Sequence, residues 1–390
     1  MVGSTVGEPI LLVSVSARML AELGVRAGYD VVALDRFGDL DLQRLCRSVS
    51  VLRDLGGRGG MAALVDAAEG IQAPSVIYGA GLENQPGLVA RLASGRTLLG
   101  CPPETFERVR DPASLGASLR AAGLAYPLTF AARDAPRRAE RSRRWLRKPV
   151  RGGGGRGVRE WRGGALDGAV VVQEHISGLA CSAAAVADGR SALVLGVSEQ
   201  LIGHRGFGAR GYAWCGNLVP PRLGEAQRRA LAAAARTICA HLALAFGLRG
   251  LFGVDLVWDG ERAWVVEVNP RPTGSLECIE AAREVGVFAA HMEGCAGRLP
   301  PIAPAPSPRW AAGKAILFAT RDVRVGDTRG WPARGIRDVP HPHERIAARH
   351  PICTLVSVQE SPDGVLADLE ARAAALRAEL RECAAIRAHA

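Results

Sequence analysis

Glu267 and Asn269 stand two residues apart in the run AWVVEVNPRPTGSLE, 263–277, and their immediate neighbours are apolar. In a strand, residues i and i+2 share a face, so a carboxylate and a carboxamide oxygen lie on a surface that the rest of the run would bury. The preceding LFGVDLVW and this run flank an Asp259-Gly260 turn, which reads as a hairpin. With a loop of three or five residues, cross-strand register brings Asp255 to the same face, opposite or diagonal to Glu267. Two carboxylates and a carboxamide form an all-oxygen set suited to Mg²⁺, which keeps waters and bridges phosphates. Left unpaired, the carboxylates would repel each other and lose solvation. A Glu267–Arg271 salt bridge accounts for one residue only and leaves Asp255 and Asn269 unexplained.

A second chemical feature is WLRKPVRGGGGRGVREW, 145–161. A β run carrying Lys148 enters a loop of four glycines, passes Arg156 and leaves as another strand. Glycines such as Gly153, Gly154 and Gly155 remove the Cβ barrier and let backbone N–H groups turn toward one anion, with cations beside them. No Gly-Lys-Ser or Gly-Lys-Thr opens a helix here, so this is not a Walker loop. Four glycines also suit a plain flexible linker; the nearby Lys148 favours a phosphate cradle.

These side chains need elements to hold them. PILLVSVS (9–16), a short helix ending near Gly28, and YDVVALDRF (29–37) form a strand, helix, strand unit that begins a parallel doubly wound sheet. A strand at 75–78 and a helix from Pro86 repeat it. Ligands of such sheets bind at the carboxyl ends of strands, the positions of Ser14, Ser16, Asp35, Gly79 and Glu83; the two glycines there, Gly79 and Gly81, equally suit ordinary turns. Asp111-Pro112 marks a helix start. EAQRRALAAAARTICAHLALAFGL, 225–248, is a long helix closed by glycine.

Composition narrows the class. A chain of 390 residues exceeds the usual single core, and 48% hydrophobic with 23% charged residues is the balance of a globular protein. There is no run of about 18 uncharged apolar residues, and the first twenty lack the basic start of a signal peptide, so neither a membrane span nor export is expected, and the expected location is cytoplasmic. Nine scattered cysteines with no C-x-x-C pair point to inert thiols. The net charge of +10 is dispersed, apart from a basic cluster at 135–148, and aromatics are only 5%. Nucleic acid is therefore not the expected partner; phosphate-bearing small ligands are. His341, His343 and His350 lack a regularly spaced fourth ligand for a metal site. In the loop 199–221, Arg205 or Arg210 could clamp an anionic substrate, although solvated loop arginines are commoner. The C-terminal 366–390 reads as an amphipathic helix packed on the body or a partner.

Lys148 with GGGGRG, then QEHISG, GVDLVW and VVEVNPRPTGS, resembles in order and approximate spacing the ATP-grasp superfamily; GYDVVALDRFGDLD and YGAGLENQPGL look most like its group of predicted ATP-dependent carboligases. The resemblance implies an α/β (α+β) fold. It would comprise an N-terminal Rossmann-like parallel-sheet domain (1–100), a central lid subdomain with the glycine-rich loop (101–175), a C-terminal ATP-grasp domain with an antiparallel sheet (176–310) and an extension packed on the body (311–390). It implies ATP with Mg²⁺ (or Mn²⁺) as cofactors. By the same resemblance Lys148 contacts nucleotide phosphates, Gly153, Gly154 and Gly155 fold over them, and Gln173, Glu174 and His175 form the hinge that reads adenine. Asp255, Glu267 and Asn269 match the metal ligands, and Arg271 the cation that steadies the transferred phosphoryl group. Many relatives carry a ribose-binding glutamate near the place of Ala180, so ribose contacts stay unassigned. The implied activity is carboxylate–amine ligation through an acyl phosphate on a small metabolite, in the setting of methanopterin- or methanofuran-type cofactor synthesis. The alternatives are a carboxylase or phosphotransferase of the same fold, or a nucleotide-binding regulator without turnover. Small-molecule acid and amine substrates, no nucleic acid, no membrane and a compatible homodimer complete the expectation.

Overall fold

The computed structural model describes residues 7–56, 60–135, 143–301 and 310–388, with side chains up to 380. Most of the basic cluster, 136–142, and the Cys383 side chain lie outside what is described.

The N-terminal sheet is parallel, in the order β3-β2-β1-β4-β5: β1 (Ile10–Val13), β2 (Val31–Asp35), β3 (Arg47–Ser50), β4 (Ser75–Tyr78) and β5 (Thr97–Leu98). Helices α1 (Arg18–Arg26), α2 (Leu40–Leu45), α3 (Met61–Ala68) and α4 (Pro86–Ala93) connect them. β1 and β2 are buried along their whole length, as continuous apolar runs in a parallel sheet should be. Strand order reverses between β1 and β4, and there a Cβ on Gly79 would stand 2.5 Å from Ser14 Oγ. Gly79 is thus required by close approach and not only by a turn.

Two helices follow, α5 (Pro103–Val109) and α6 (Pro112–Ala121), with the Asp111 carboxylate accepting from Ser114 N at 2.7 Å as the expected cap. A four-stranded sheet comes next: β6 (Thr129–Ala131), β7 (Trp145–Pro149), β8 (Arg159–Trp161) and β9 (Val170–Glu174), in the order β6-β9-β7-β8. The glycine run is the turn of the antiparallel β7–β8 hairpin.

The largest sheet has the order β14-β13-β10-β11-β12-β15-β19-β17. Its first members are β10 (Leu179–Asp188), β11 (Ala192–Ile202), β12 (Trp214–Val219), β13 (Arg249–Trp258) and β14 (Ala263–Asn269). Helix α7 (Glu225–Phe246) lays Leu231, Ala235, Ile238, Leu242 and Phe246 against it, a spacing that puts all five on one stripe. Each large side chain so buried stabilises the fold by about 1.5–3 kcal/mol. By length and composition α7 would also suffice to cross a membrane; its stripe is packed on the sheet instead. Gly247, at φ +66°, ends it. Helices α8 (Leu276–Arg283) and α9 (Val287–Cys295) cover another part of the sheet.

The stretch read from sequence as an extension packed on the body enters the sheet. β15 (Ala311–Phe318) pairs with β12, and β19 (Pro351–Gln359) and β17 (Ile336–Arg337) extend the edge beyond it, while β16 (Val323–Arg324) and β18 (Arg345–Ile346) form a small separate pair. α10 (Pro362–Ala388) packs across β15 and β19 through Val365, Leu369, Ala373 and Leu376. The eight cysteines with described side chains are free thiols.

His291 on α9 pins β13: its Nδ1 accepts from Leu251 N at 2.9 Å, and Nε2 faces Leu99 O at 3.3 Å. Burial pushes its pKa from 6.5 down to about 4. Between those values the unfolded chain holds a proton that the folded chain lacks, so stability is full above pH 6.5 and declines toward pH 4. His291→Gln, unable to take up a proton, should flatten this decline by up to about 3 kcal/mol, read from urea midpoints across that pH range.

Candidate nucleotide and metal site

The hairpin register is as direct as the pattern allows: Asp255 pairs with Glu267 across β13 and β14, and Gly253 with Asn269. A bulge follows between Asp255 and Leu256, so the strands slip one residue immediately beyond the two acids. Asp255 receives Gln200 Nε2 at 2.8 Å and Asn269 Nδ2 at 3.2 Å. Burial, then the Glu267 charge, lifts the Asp255 carboxyl to about 6. The Asn269 amide nitrogen is engaged by Asp255, which turns its Oδ1 toward the cations. The two facing carboxylates and that oxygen are hard donors of the kind Mg²⁺ takes, so the residues fit the metal.

Three cations from separate elements answer these acids. Lys148, at the end of β7, donates to Gln173 Oε1 at 2.8 Å and to Val266 O at 3.1 Å. Burial lowers its pKa, and the nearby Glu267 and Asp255 charges oppose that. Arg271 Nε donates to Glu83 Oε1 at 2.7 Å, and its Nη2 lies 3.4 Å from Asn269 Oδ1. Burial alone would raise the Glu83 carboxyl; the charge and hydrogen bond of Arg271 together with the Arg110 charge hold the group below its usual value. Arg110, just past α5, is the third. Its Nη1 donates to Glu267 Oε1 at 2.9 Å and its Nη2 to Gly152 O at 3.0 Å.

The sequence-predicted residues divide accordingly. Lys148, Asp255, Glu267, Asn269 and Arg271 come together. Gln173, expected at the adenine hinge, is buried under the sheet with its amide between Lys148 and Thr129 Oγ1, so its side chain orients the lysine. β9 alternation decides this, because Gln173 shares a face with Lys148 on the neighbouring β7. Glu174 pairs with Arg143 at 2.6 Å and accepts from Leu128 N at 3.4 Å. His175 donates its backbone N–H to Arg144 O and sets its ring edge-on to Tyr212, centroids 6.4 Å apart. Arg110 and Gln200 were missed, and Glu83 was read as a strand-end position without its partner Arg271.

Of the strand-end candidates, Asp35 is taken up by its own loop: its carboxylate accepts from Gly38 N at 2.8 Å, and burial lifts it to about 6. In the 199–221 loop, His204 pairs with Glu370 at 3.2 Å, and Asn217 is buried against Ser198 Oγ. His341 faces Gly38 O at 2.8 Å, and no cluster of three or more His, Cys, Asp or Glu side chains able to hold a metal occurs among the described residues.

The glycine loop is seated. Gly152 O also accepts from Asn84 Nδ2 at 3.3 Å, and Gly154 O accepts from Trp214 N at 3.1 Å. The cleft beneath it is lined by Lys148, Gly152, Gly153, Gly155, Gln173 and Glu267.

A family model described as ATP-grasp domain matches residues 110–275, the stretch from Arg110 through the glycine loop to the Glu267 strand. That stretch is similar to an ATP-grasp domain. Among curated proteins it is 34% identical over 80 residues to the formate-dependent phosphoribosylglycinamide formyltransferase of Stutzerimonas stutzeri (strain A1501); that match spans 20% of this chain and only 18% of that one. The fold is also that of solved structures of low identity. A biotin carboxylase from Campylobacter jejuni superposes with TM-score 0.68 at 15% identity, covering 93% of this chain and 89% of that one. An L-amino acid ligase from Bacillus licheniformis gives 0.64 at 14%, with 93% and 96% covered. The N5-carboxyaminoimidazole ribonucleotide synthetase of Thermotoga maritima gives 0.64 at 15%, with 96% and 98% covered.

Within that stretch, the four glycines are not equivalent. A Cβ on Gly155, at φ +72°, would sit 1.8 Å from Tyr212 O, whereas one on Gly153 meets nothing within 4 Å. Gly155→Ala should therefore unseat the loop, at a cost of about 1–3 kcal/mol, and speed tryptic cutting at Arg151 and Arg156. Gly153→Ala should leave cutting within about twofold of the unmodified protein, a change of under ~0.5 kcal/mol.

Proposed function

We propose that the protein is an ATP-dependent ligase that joins a carboxylate to an amine on a small metabolite. The observation that carries this reading is the opposition of Asp255, Glu267 and Asn269 to Lys148 and Arg271 beneath a backbone-rich glycine loop. A site of that composition handles phosphoryl transfer, where catalysis is mostly positioning and charge neutralisation. Asp255, Glu267 and the Asn269 oxygen would hold Mg²⁺, which when bound neutralises charge on the transferring phosphoryl group.

The remaining roles belong to the chain. Lys148, fixed by Gln173 and Val266 O, sets a point charge against the nucleotide phosphates. The turned backbone of Gly153, Gly154 and Gly155 supplies N–H donors above them. His175 and Tyr212 offer ring faces at the hinge end. Arg271, held by Glu83, meets the transferred phosphoryl group as the acid's oxygen attacks the γ-phosphorus and ADP leaves. The resulting acyl phosphate is opened by the amine, which forms the amide, releases phosphate and gives up a proton.

The formyltransferase, carboxylase and amino-acid ligase among the similar proteins support ATP-driven activation of a carboxylic group as the common class. A role in methanopterin- or methanofuran-type cofactor synthesis is the finer form of this proposal.

ADP release should need Mg²⁺, a carboxylic acid and an amine together, as measured across a panel of acids and amines. Release with bicarbonate alone would replace the ligase reading by a carboxylase one, and release needing no acceptor would remove both. Glu267→Gln should lower turnover about 100-fold or more with the circular dichroism unchanged, because one charged metal ligand is lost at constant shape. Full activity in that variant would refute the metal assignment.

A further inference from the structure

The Arg110 guanidinium is placed among the same oxygens that would hold the metal. Nη1 lies 2.9 Å from Glu267 Oε1, 3.3 Å from Val268 O and 3.4 Å from Asn269 Oδ1. Nη2 reaches in another direction, to Gly152 O at 3.0 Å. One planar cation therefore clamps the carboxylate strand to the glycine loop, a fork geometry that lysine cannot reproduce. The side chain is only 10% exposed, so this is a built contact and not a surface pairing.

We propose that Arg110 is a resident cation of the metal–phosphate site, exchanging with the divalent ion and thereby coupling metal binding to release of the glycine loop. The inference rests on the metal assignment in the proposed function. Mg²⁺ and Mn²⁺ need their oxygen ligands at close range, and a guanidinium hydrogen-bonded to Glu267 and directed at Asn269 repels any ion approaching them. The entering ion displaces Arg110 from Glu267. Once displaced, the guanidinium no longer holds Gly152, and the loop is free to lift and admit phosphates. The freed arginine carries a fork suited to a phosphate oxygen pair, so its charge stays useful after the exchange. Arg271 does not share this duty, because Glu83 on a separate element already holds it.

The test uses the full chain with Mn²⁺ alone and no nucleotide, acid or amine, so that it stands apart from any result of the ligase assay. Mn²⁺ affinity is read by electron paramagnetic resonance and loop seating by tryptic cutting at Arg151 and Arg156. Arg110→Gln should bind Mn²⁺ on the order of tenfold more tightly, the scale expected for removing one adjacent positive charge. Its loop should be cut about threefold to tenfold faster, the factor for losing a hydrogen bond. Arg110→Lys separates the two effects: it keeps the charge and so the weaker Mn²⁺ binding, but it cannot span both partners and should be cut faster. In the unmodified protein, Mn²⁺ should raise the cutting rate toward that of Arg110→Gln, and this arm remains decisive if a variant fails to fold. Equal or weaker Mn²⁺ binding in Arg110→Gln, no Mn²⁺ binding in either protein, or a cutting rate in the unmodified protein indifferent to Mn²⁺ would each overturn the proposal.

Discussion

The constraint on which the site depends is the pairing of Asp255 with Glu267 on adjacent strands. Two carboxylates directly opposite each other in a partly buried ladder are destabilising, and burial with the facing Glu267 charge lifts the Asp255 carboxyl. The fold answers it with charges drawn from elsewhere. Lys148 comes from the four-stranded sheet, Arg110 from the end of α5, and Arg271 from the turn beyond β14. Glu83, from the parallel sheet, then balances Arg271. The pairing thus draws groups from every layer to one place, and each layer's contribution is interpretable only with the others present.

Much of the site was legible because it obeys short-range periodicity. Glu267 and Asn269 share a face by strand alternation, the Asp-Gly turn fixes the hairpin, and a strand leading into four glycines announces Lys148. The parallel unit of the first hundred residues was legible for a similar reason, since β1 and β2 are continuous apolar runs, the second ending at Asp35. What the sequence hid are pairings between residues far apart along the chain. Arg110 meets Glu267 across 157 positions and Glu83 meets Arg271 across 188. No local pattern distinguishes such an arginine from the many solvated ones in a chain with net charge +10. The place of the Gln173 side chain was hidden for a different reason. Alternation along β9 turns it toward Lys148, on the face opposite to that of Glu174. The C-terminal strands were likewise missed as sheet members, because a short apolar run such as 311–318 does not disclose which strand it will pair with.

The glycine run is packed closely in one half and loosely in the other. Its demanding end is where the hairpin returns toward β8, at Gly155 against the Tyr212 carbonyl and Gly157 against Pro149. The first contact ties the β7–β8 hairpin to the loop before β12, and the second closes the hairpin on its own β7 end. The other half, around Gly152, is held chiefly by side chains, Arg110 and Asn84. Backbone packing anchors one end of the loop and exchangeable hydrogen bonds the other, the arrangement that lets a loop hinge without losing its register.

Arg271 is fixed from a second direction that bears on how the layers stay aligned. A few residues beyond it, Glu277 in the first turn of α8 is gripped by Arg18 of α1 at 2.8 Å and by Lys314 of β15. Arg18 also holds Asp338 at 3.0 Å and Glu22 at 3.0 Å. Burial alone would raise the Glu277 carboxyl, and the Arg18 and Lys314 charges hold it down at about 2. A buried ion network of this kind adds little net stability over apolar packing, but breaking one member leaves the others uncompensated. Its effect is therefore on geometry: the parallel sheet, α8 and the C-terminal strands can assemble in one relative placement only. Because Glu83 and Arg18 both belong to the parallel-sheet region, the segment 269–277 is held to that region at both ends, at Arg271 and at Glu277. β14 cannot shift against the parallel sheet without disrupting one buried pair or the other, which keeps Asn269 and Arg271 in register with Lys148 beneath the glycine loop.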